Sequence, residues 1–398
     1  MWTGRHVVVG VSGGIACYKS CILVRRLAEA GARVDVILTE GAAEFVRPLT
    51  FEALSGRPVL TSLWARDSAL EHVRLAQRAE LAIIAPATAH LLARVAQGLG
   101  DDLLTTLLLA RTRPVLFAPA MNDEMYQSPA TQANLAILRG RGARFVGPEI
   151  GPLAEGASDR PGRMSEPDTV VAHAARILRA TGPLAGKRVI VTAGPTRERI
   201  DPVRVLTNRS SGKMGYALAE AAWQRGAEVM LVSGPVAPAV PVGVTVRGVE
   251  STAEMEAAVT AEMPTADVLI MAAAPADYRP ASRSDTKRPR EAGEITIAMT
   301  PTSDILAAAT AVRRPGSLIV GFALETGDAL AKGRAKLVRK QLDLIVVNDA
   351  LEPGAGFEVD TNRVVIIDRT GAEEAVPLAP KREVADRILD AVEARLGR

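Results

Sequence analysis

The sequence predicts an α/β protein of two three-layer units, each a largely parallel sheet flanked by helices. Three observations carry this expectation. Short runs rich in Val, Ile and Leu recur along the chain, helix-like segments separate them, and the pattern restarts near Lys187.

The first run, RHVVVGV, is closed by SGG, and IACYKSCILVRRLAEAG then carries apolar residues at helical spacing as far as Gly31. RVDVIL, ELAIIAP and RPVLFAPA are further runs, separated by segments such as HLLARVAQGL. Near-continuous apolar runs joined by helices describe strands covered on both faces and paired through crossovers. DTVVAHAARIL is the last helical segment of this unit. LRATGPLAGK, Leu178 to Lys187, is the seam, because it sets two glycines and a proline between a helix and a new first strand. The second unit opens with KRVIVTAGPTRE and continues through AEVMLVSG, ADVLIMAAA, GSLIVGFALE and LDLIVVND. The expected domains are therefore residues 1–180 and 187–398, both Rossmann-like.

Composition narrows the function. At 398 residues, 48% hydrophobic and 23% charged, the chain is long enough for about two domains with full cores. A net charge of +3, 3% aromatics and no long basic run argue against nucleic acid and for acidic small molecules such as phosphates. Cys17 and Cys21, four apart on one helical segment, make neither a disulfide framework nor a zinc site. No apolar run approaches the ~18 residues of a membrane span, so the expectation is a cytoplasmic protein without membrane contact.

Ligands of open parallel sheets sit beyond the carboxyl ends of the strands. After the first strand, GVSGGIA offers backbone N–H groups and the Ser12 hydroxyl to an anion, although a tight turn alone would also use these glycines. It departs from G-x-G-x-x-G, with Ser12 and Ile15 where glycines belong, which disfavours a nicotinamide oxidoreductase. Thr39 and Thr88 follow the next two strands and extend a row of hydroxyls suited to a mononucleotide phosphate. His72 lies on a short amphipathic helix as either a proton-moving or a structural histidine, and Asn122 offers an amide at a strand end beside Met121. GPLAEGASDRPGRMSEP, residues 151–167, has a linker's composition but precedes the seam. Its charged residues fit a lid over a ligand.

In the second unit, PTRERIDPVRVLTNRSSGKMG gathers Arg197, Arg204, Asn208, Arg209, Ser210, Ser211 and Lys213 before a helix start. This is an anion loop or a solvated basic loop, and it is no Walker motif. Asp277 closes another strand, the basic run KRPR begins at Lys287, and Lys336 and Lys340 stand four apart on one helical segment, where exposed lysines are the usual case.

GVSGGIA, PATAHLLARVAQGLGDDLL, APAMNDEMY and GRMSEP resemble the FMN-dependent phosphopantothenoylcysteine decarboxylases. TAGPTRERIDPVRVLTNRSSGKMGYALA and AAAPADYRP resemble phosphopantothenate–cysteine ligase. Together they cover nearly the whole chain, in the order of the bifunctional coenzyme A biosynthesis family. The resemblance implies a flavodoxin-like first domain that binds FMN at Ser12, Gly13, Gly14, Thr39 and Thr88, with His72 catalytic and Asn122, beside Met121, holding the substrate carboxylate. FMN would carry the redox chemistry of decarboxylation, and the protein its orientation and proton traffic. Arg163 would hold the flap over the substrate.

For the ligase it implies CTP contacts at Met271, Ala272, Ala273, Asp277, Lys287, Ser303, Asp304, Ile305, Leu306, Phe322, Lys336 and Lys340, with Asn208 acting on an acyl-cytidylate. Magnesium, with no ligands assigned, would help offset the triphosphate charge. The substrates would be 4'-phosphopantothenate, L-cysteine and CTP. The assembly would be a dodecamer of trimeric flavin domains and dimeric ligase domains.

Two departures matter. The family's NPDI reads TSDI here, with Ser303 for proline, and its KIKK reads KRPR. In the flap, AEG replaces the family's ACG, so Glu155 stands where a cysteine donates a proton in the reductive half-reaction. A buried carboxyl with a raised pKa could donate instead. The alternatives are a flavin unit with an altered or lost reductive step, a flavin unit used for prenyl transfer or sensing, and a catalytically silent scaffold.

Overall fold

The structure is a computed structural model that describes residues 1–64, 70–287, 296–349, 352, 354, 356 and 358–396. The chain divides into two compact units, Met1–Leu178 and Arg179–Arg398.

In the first unit, β1 (His6–Val11), β2 (Arg33–Leu38), β3 (Leu81–Ala87), β4 (Val115–Pro119) and β5 (Arg144–Phe145) form a parallel sheet in the order β2-β1-β3-β4-β5. This is the flavodoxin-like order, whose crevice opens beyond the carboxyl ends of β1 and β3. Around it lie α1 (Cys17–Glu29), α2 (Glu40–Ala43), α3 (Pro48–Ser55), α4 (Glu71–Arg78), α5 (Ala89–Gln97), α6 (Leu103–Leu109), α7 (Asp123–Gln127), α8 (Pro129–Gly140) and α9 (Pro167–Leu178). Successive residues of β1 feed opposite cores. Val7, Val9 and Val11 pack with Leu23, Leu27 and Phe51, while Val8 packs with Leu92, Leu104 and Phe117. That is why the run is apolar at every position rather than alternating. Phe117 is 1% exposed and stacks on Phe145 at 5.4 Å, so Phe117→Ala should cost about 3–5 kcal/mol. A two-stranded hairpin, β6 (Glu149–Ile150) and β7 (Pro161–Arg163), carries the glycine-rich stretch as its connection.

The second unit builds its sheet from β8 (Arg188–Ala193), followed in the chain by a small hairpin, β9 (Arg197–Arg199) and β10 (Val205–Thr207). Next come β11 (Glu228–Ser233), β12 (Thr245–Gly248), β13 (Val268–Met271) and a second small hairpin, β14 (Tyr278–Pro280) with β15 (Met299–Pro301). It ends with β16 (Leu318–Glu325), β17 (Leu344–Asp349), β18 (Thr361–Asp368) and β19 (Glu373–Pro380). The large sheet runs β12-β11-β8-β13-β16-β17-β18-β19, parallel through β17 and antiparallel for the last two strands. The helices are α10 (Lys213–Gln224), α11 (Thr252–Glu262), α12 (Ile305–Ala311), α13 (Ala329–Arg339) and α14 (Lys381–Leu396). α14 packs on α10, and the buried Arg225 just after α10 pairs with Asp386, Asp390 and Glu393 of α14. The α/β class expected from the sequence is the class observed. The antiparallel β18–β19 hairpin extends the parallel sheet beyond it.

Candidate active sites

The loop after β1 opens onto a cavity of about 970 Å³. Ser12, Gly13, Gly14, Thr39 and Thr88 line one side of it, and Met121, Asn122, Glu155 and Arg163 also line it. The expected row of hydroxyls is there, each fixed by local bonding. Ser12 Oγ donates to the Pro86 carbonyl at 2.7 Å and accepts from the Thr88 N–H at 3.0 Å. Thr88 Oγ1 caps α5 by accepting from the Leu91 N–H, and Thr39 Oγ1 accepts from the Ala42 N–H. Gly13 lies so close to Gly41 that a Cβ would sit 2.6 Å from the Gly41 carbonyl carbon. Only glycine lets the two backbones meet there.

The donor set suits an anionic head group, and Leu63, Trp64 and Leu104 line the same cavity for an apolar ring. A flavin mononucleotide fits this division. Ser12, Gly13, Gly14, Thr39 and Thr88 would hold it.

Asn122 is oriented by the start of α7. Its Oδ1 accepts from the Glu124 N–H at 2.9 Å and the Met125 N–H at 3.3 Å, which leaves Nδ2 as the amide's donor on the cavity wall. Nδ2 donates to the carboxylate of Glu155 on the flap. Ser158 Oγ donates to Asp123, and Arg160 Nη1 pairs with Glu124 at 2.6 Å. Glu155 is exposed, so the burial expected to support its role as an acid is not there. Arg163 lines the cavity but pairs with Glu166, so the clasp to α7 comes from Arg160, one of the charged residues that suggested a lid, and from Ser158, which sequence reasoning did not single out.

His72 lies on α4 as expected, but it is not among the residues lining this cavity. Its Nδ1 is buried with no partner among the described residues. Lys19 was also missed. Only 3% exposed, it reaches the cavity wall and donates Nζ to the Met164 carbonyl at 2.7 Å and to Glu166 at 3.1 Å. Its place on the apolar face of α1, beside Cys17 and Ser20, was the signal available. Cys17 is fully buried, and burial pushes its thiol pKa up.

In the second unit several of the expected residues come together near the carboxyl end of β13. Asn208 Nδ2 donates to the Ala274 and Pro275 carbonyls at 3.1 and 3.0 Å, just beyond β13. Met271 is buried at the end of that strand, Ala272 follows it, and the Ala273 N–H donates to Thr192 Oγ1. The Asp277 carbonyl accepts from the Thr302 N–H, which brings the turn before Ser303 alongside. Asp304 caps α12 and pairs with Lys340, while Ile305 and Leu306 are buried under it.

Lys336 is a correction to the exposed-lysine expectation. It is half-buried, and its Nζ donates to the Phe322 carbonyl at 2.8 Å. Burial pushes its pKa down, and Glu325 and Asp277 partly offset this. Lys287 is exposed and makes none of these contacts, and the rest of KRPR lies outside the described residues.

At the start of α10, Lys213 Nζ pairs with Asp360 at 2.6 Å and donates to the Glu358 carbonyl. The buried Lys381 donates to the Gly356 and Val359 carbonyls of the same loop. Among the described residues no group of three or more His, Cys, Asp or Glu could hold a metal ion. Nor, among them, is any helix long and apolar enough to cross a membrane.

Comparison with known proteins gives two family matches. Residues 1–179 match the Flavoprotein family, and residues 184–396 match the DNA/pantothenate metabolism flavoprotein C-terminal domain. The coenzyme A biosynthesis bifunctional protein CoaBC of Vibrio vulnificus is 46% identical over 398 residues, covering 99% of this chain and 98% of its own. The protein of the same name from Mycobacterium tuberculosis is 49% identical over 403 residues, covering 98% and 96%.

Among solved structures, the C-terminal domain of CoaBC is 41% identical with a TM-score of 0.47, covering 55% of this chain and 99% of its own. A PPC decarboxylase mutant complexed with pantothenoylaminoethenethiol is 29% identical with a TM-score of 0.39, covering 43% and 96%.

Proposed function

The chain belongs to the family of coenzyme A biosynthesis bifunctional proteins, and from that premise we propose how its two units divide the work. It is an enzyme of coenzyme A biosynthesis with ligase and FMN-dependent decarboxylase activities. Residues 187–398 join 4'-phosphopantothenate to L-cysteine at the expense of CTP. Residues 1–180 then decarboxylate the 4'-phosphopantothenoylcysteine to 4'-phosphopantetheine. The observation that carries this reading is a relationship to the bifunctional relatives that spans both units. The reading in which the reductive step has been lost finds no support.

In the ligase unit, the phosphopantothenate carboxylate attacks the α-phosphate of CTP and expels pyrophosphate. The amine of cysteine then displaces CMP to form the amide. Lys336 and Lys340 face the triphosphate, Asp304, Ile305 and Leu306 frame the nucleotide, and Asn208 holds the acyl-cytidylate in place. Magnesium, with no ligands assigned on the chain, would help offset the triphosphate charge.

In the flavin unit, bound FMN supplies the reversible two-electron oxidation that makes the neighbouring carboxylate a leaving group. Asn122 Nδ2 holds that carboxylate, a donor that does not titrate. A group on the flap returns the proton in the reductive half, and Glu155, exposed and bonded to Asn122, stands at the position where that group is expected. His72 stands apart from the cavity of its own chain, which favours a flavin site shared between subunits, with His72 serving a neighbour. The exposed apolar stripe of Ile15, Tyr18 and Ile22 supports a trimer contact, and exposed Val205 and Tyr278 on the two small hairpins support ligase dimers. Together these give a dodecamer. The free thiols of Cys17 and Cys21 suit the cytoplasm.

The two units are separable by substitution. His72→Asn should abolish carbon dioxide release while leaving pyrophosphate release intact, and Asn208→Ala should do the reverse when 4'-phosphopantothenoylcysteine is supplied directly. Loss of both activities in either variant would contradict the division.

A further inference from the structure

Three consecutive residues at the start of α7 each take a partner from the flap. Asn122 takes the Glu155 carboxylate, Asp123 the Ser158 hydroxyl and Glu124 the Arg160 guanidinium. Beside them the Met121 N–H donates to the Gly162 carbonyl at 3.1 Å, and the backbones lie so close that a Cβ on Gly162 would sit 2.6 Å from the Met121 oxygen. The Ser158, Arg160 and Gly162 contacts can persist whatever the cavity contains. The Glu155 contact cannot. Asn122 Oδ1 is committed to capping α7, so Nδ2 is the amide's remaining donor, and it is the atom assigned to the substrate's carboxylate. The flap therefore presents to that atom the same chemical group that the substrate must place there.

We propose that Glu155 is a built-in occupant of the substrate-carboxylate subsite, and so sets the enzyme's discrimination between substrate and product. Its side chain rests on Asn122 when no ligand carboxylate is bound, moves off when the substrate arrives, and returns once carbon dioxide has left. The proposal rests on the reading of Asn122 given above. Glu155 is exposed and has room to move, while Ser158 and Arg160 keep the flap docked during the exchange. A ligand without the carboxylate leaves the Glu155–Asn122 bond intact and gains nothing from Asn122. The occupant thus weakens substrate binding but not product binding, and it guards against carboxylates too weakly held elsewhere to displace it.

The test uses the FMN-loaded full chain and two probes that cannot be oxidised at sulfur. One is 4'-phosphopantothenoylserine, which keeps the carboxylate. The other is its decarboxylated counterpart, 4'-phosphopantothenoylethanolamine. Affinities are read from the change in flavin fluorescence. Glu155→Ala should tighten the serine probe about tenfold, the worth of one competing hydrogen bond to a charged group, and leave the ethanolamine probe unchanged. Glu155→Gln, which keeps an acceptor but not the charge, should fall between. Unchanged affinity of the serine probe in Glu155→Ala, with Asn122→Ala weakening that probe alone, would overturn the occupant role and leave Asn122's role standing. If Asn122→Ala weakens both probes equally, or neither, then Asn122 is not the carboxylate subsite and the proposal falls with it.

Discussion

Arg78, in the last turn of α4, reaches across to β2 and pairs with Asp35, its Nη2 lying 3.3 Å from Oδ2. The same nitrogen lies 2.9 Å from Glu71, the neighbour of His72, so one guanidinium ties both ends of the helix to the sheet. Asp35 is 4% exposed and also holds His6 at 2.5 Å and Arg57 at 2.7 Å, which anchors the arrangement. Arg78→Met keeps the side chain's length but loses both pairs. It should lower the rate of decarboxylation by about tenfold, the usual order for a slackened catalytic group, without changing ligation. Carbon dioxide and pyrophosphate release, measured on one preparation, check this.

Gly13 has no room for a methyl group against the Gly41 backbone. Gly13→Ala must push apart the loop expected to hold FMN, and the purified variant should be largely colourless. The ratio of flavin to protein absorbance gives the answer without any assay of activity. A fully yellow variant would mean that the cofactor does not depend on this close approach.

The flap clasp predicts a change in KM. Ser158→Ala combined with Arg160→Met removes the two persistent side-chain contacts to α7, while Asn122 and the cavity are untouched. The KM for 4'-phosphopantothenoylcysteine should rise at least several-fold, as expected when closure is no longer favoured, with a smaller effect on kcat. Steady-state decarboxylation kinetics separate the two parameters.

Lys381 predicts a pH dependence of stability. Burial pushes its ammonium down to about 8, Lys213 adds repulsion and Asp360 opposes it, against an ordinary value of 10.5. Below about 8 the folded protein carries the buried charge at its full desolvation cost. Between about 8 and 10.5 the folded state sheds the proton while the unfolded chain keeps it, so the free energy of unfolding rises with pH. Lys381→Met lacks this gain. The melting temperature of wild type relative to the variant should therefore climb between pH ~7.5 and ~10, as calorimetry of the second unit's transition can show.

Much of the fold was legible because buried parallel strands announce themselves as continuous apolar runs, and RHVVVGV or KRVIVTA can hardly be anything else. The first crevice was legible for a related reason. A loop that must bring backbone N–H groups to a ligand keeps its glycines in one short stretch, GVSGG. What stayed hidden was tertiary. The pairs Asp123–Ser158 and Glu124–Arg160 join residues about 35 positions apart, and nothing in either segment names its partner. Lys336 resembled a solvated helix lysine because its burial comes from β16, not from its own helix. The antiparallel β18–β19 hairpin escaped because TNRVVIID and EEAVPLAP mix charged and apolar residues, as strands near a sheet edge do.

The central claim is that one chain performs both reactions in sequence, and one incubation tests it. The purified, FMN-loaded protein is given 4'-phosphopantothenate, L-cysteine, CTP and magnesium, and pyrophosphate, carbon dioxide and 4'-phosphopantetheine are followed together. Equal molar amounts of the three, with pyrophosphate appearing first, are the predicted result. Pyrophosphate without carbon dioxide, or carbon dioxide with an unreduced enethiol accumulating in place of 4'-phosphopantetheine, would contradict it.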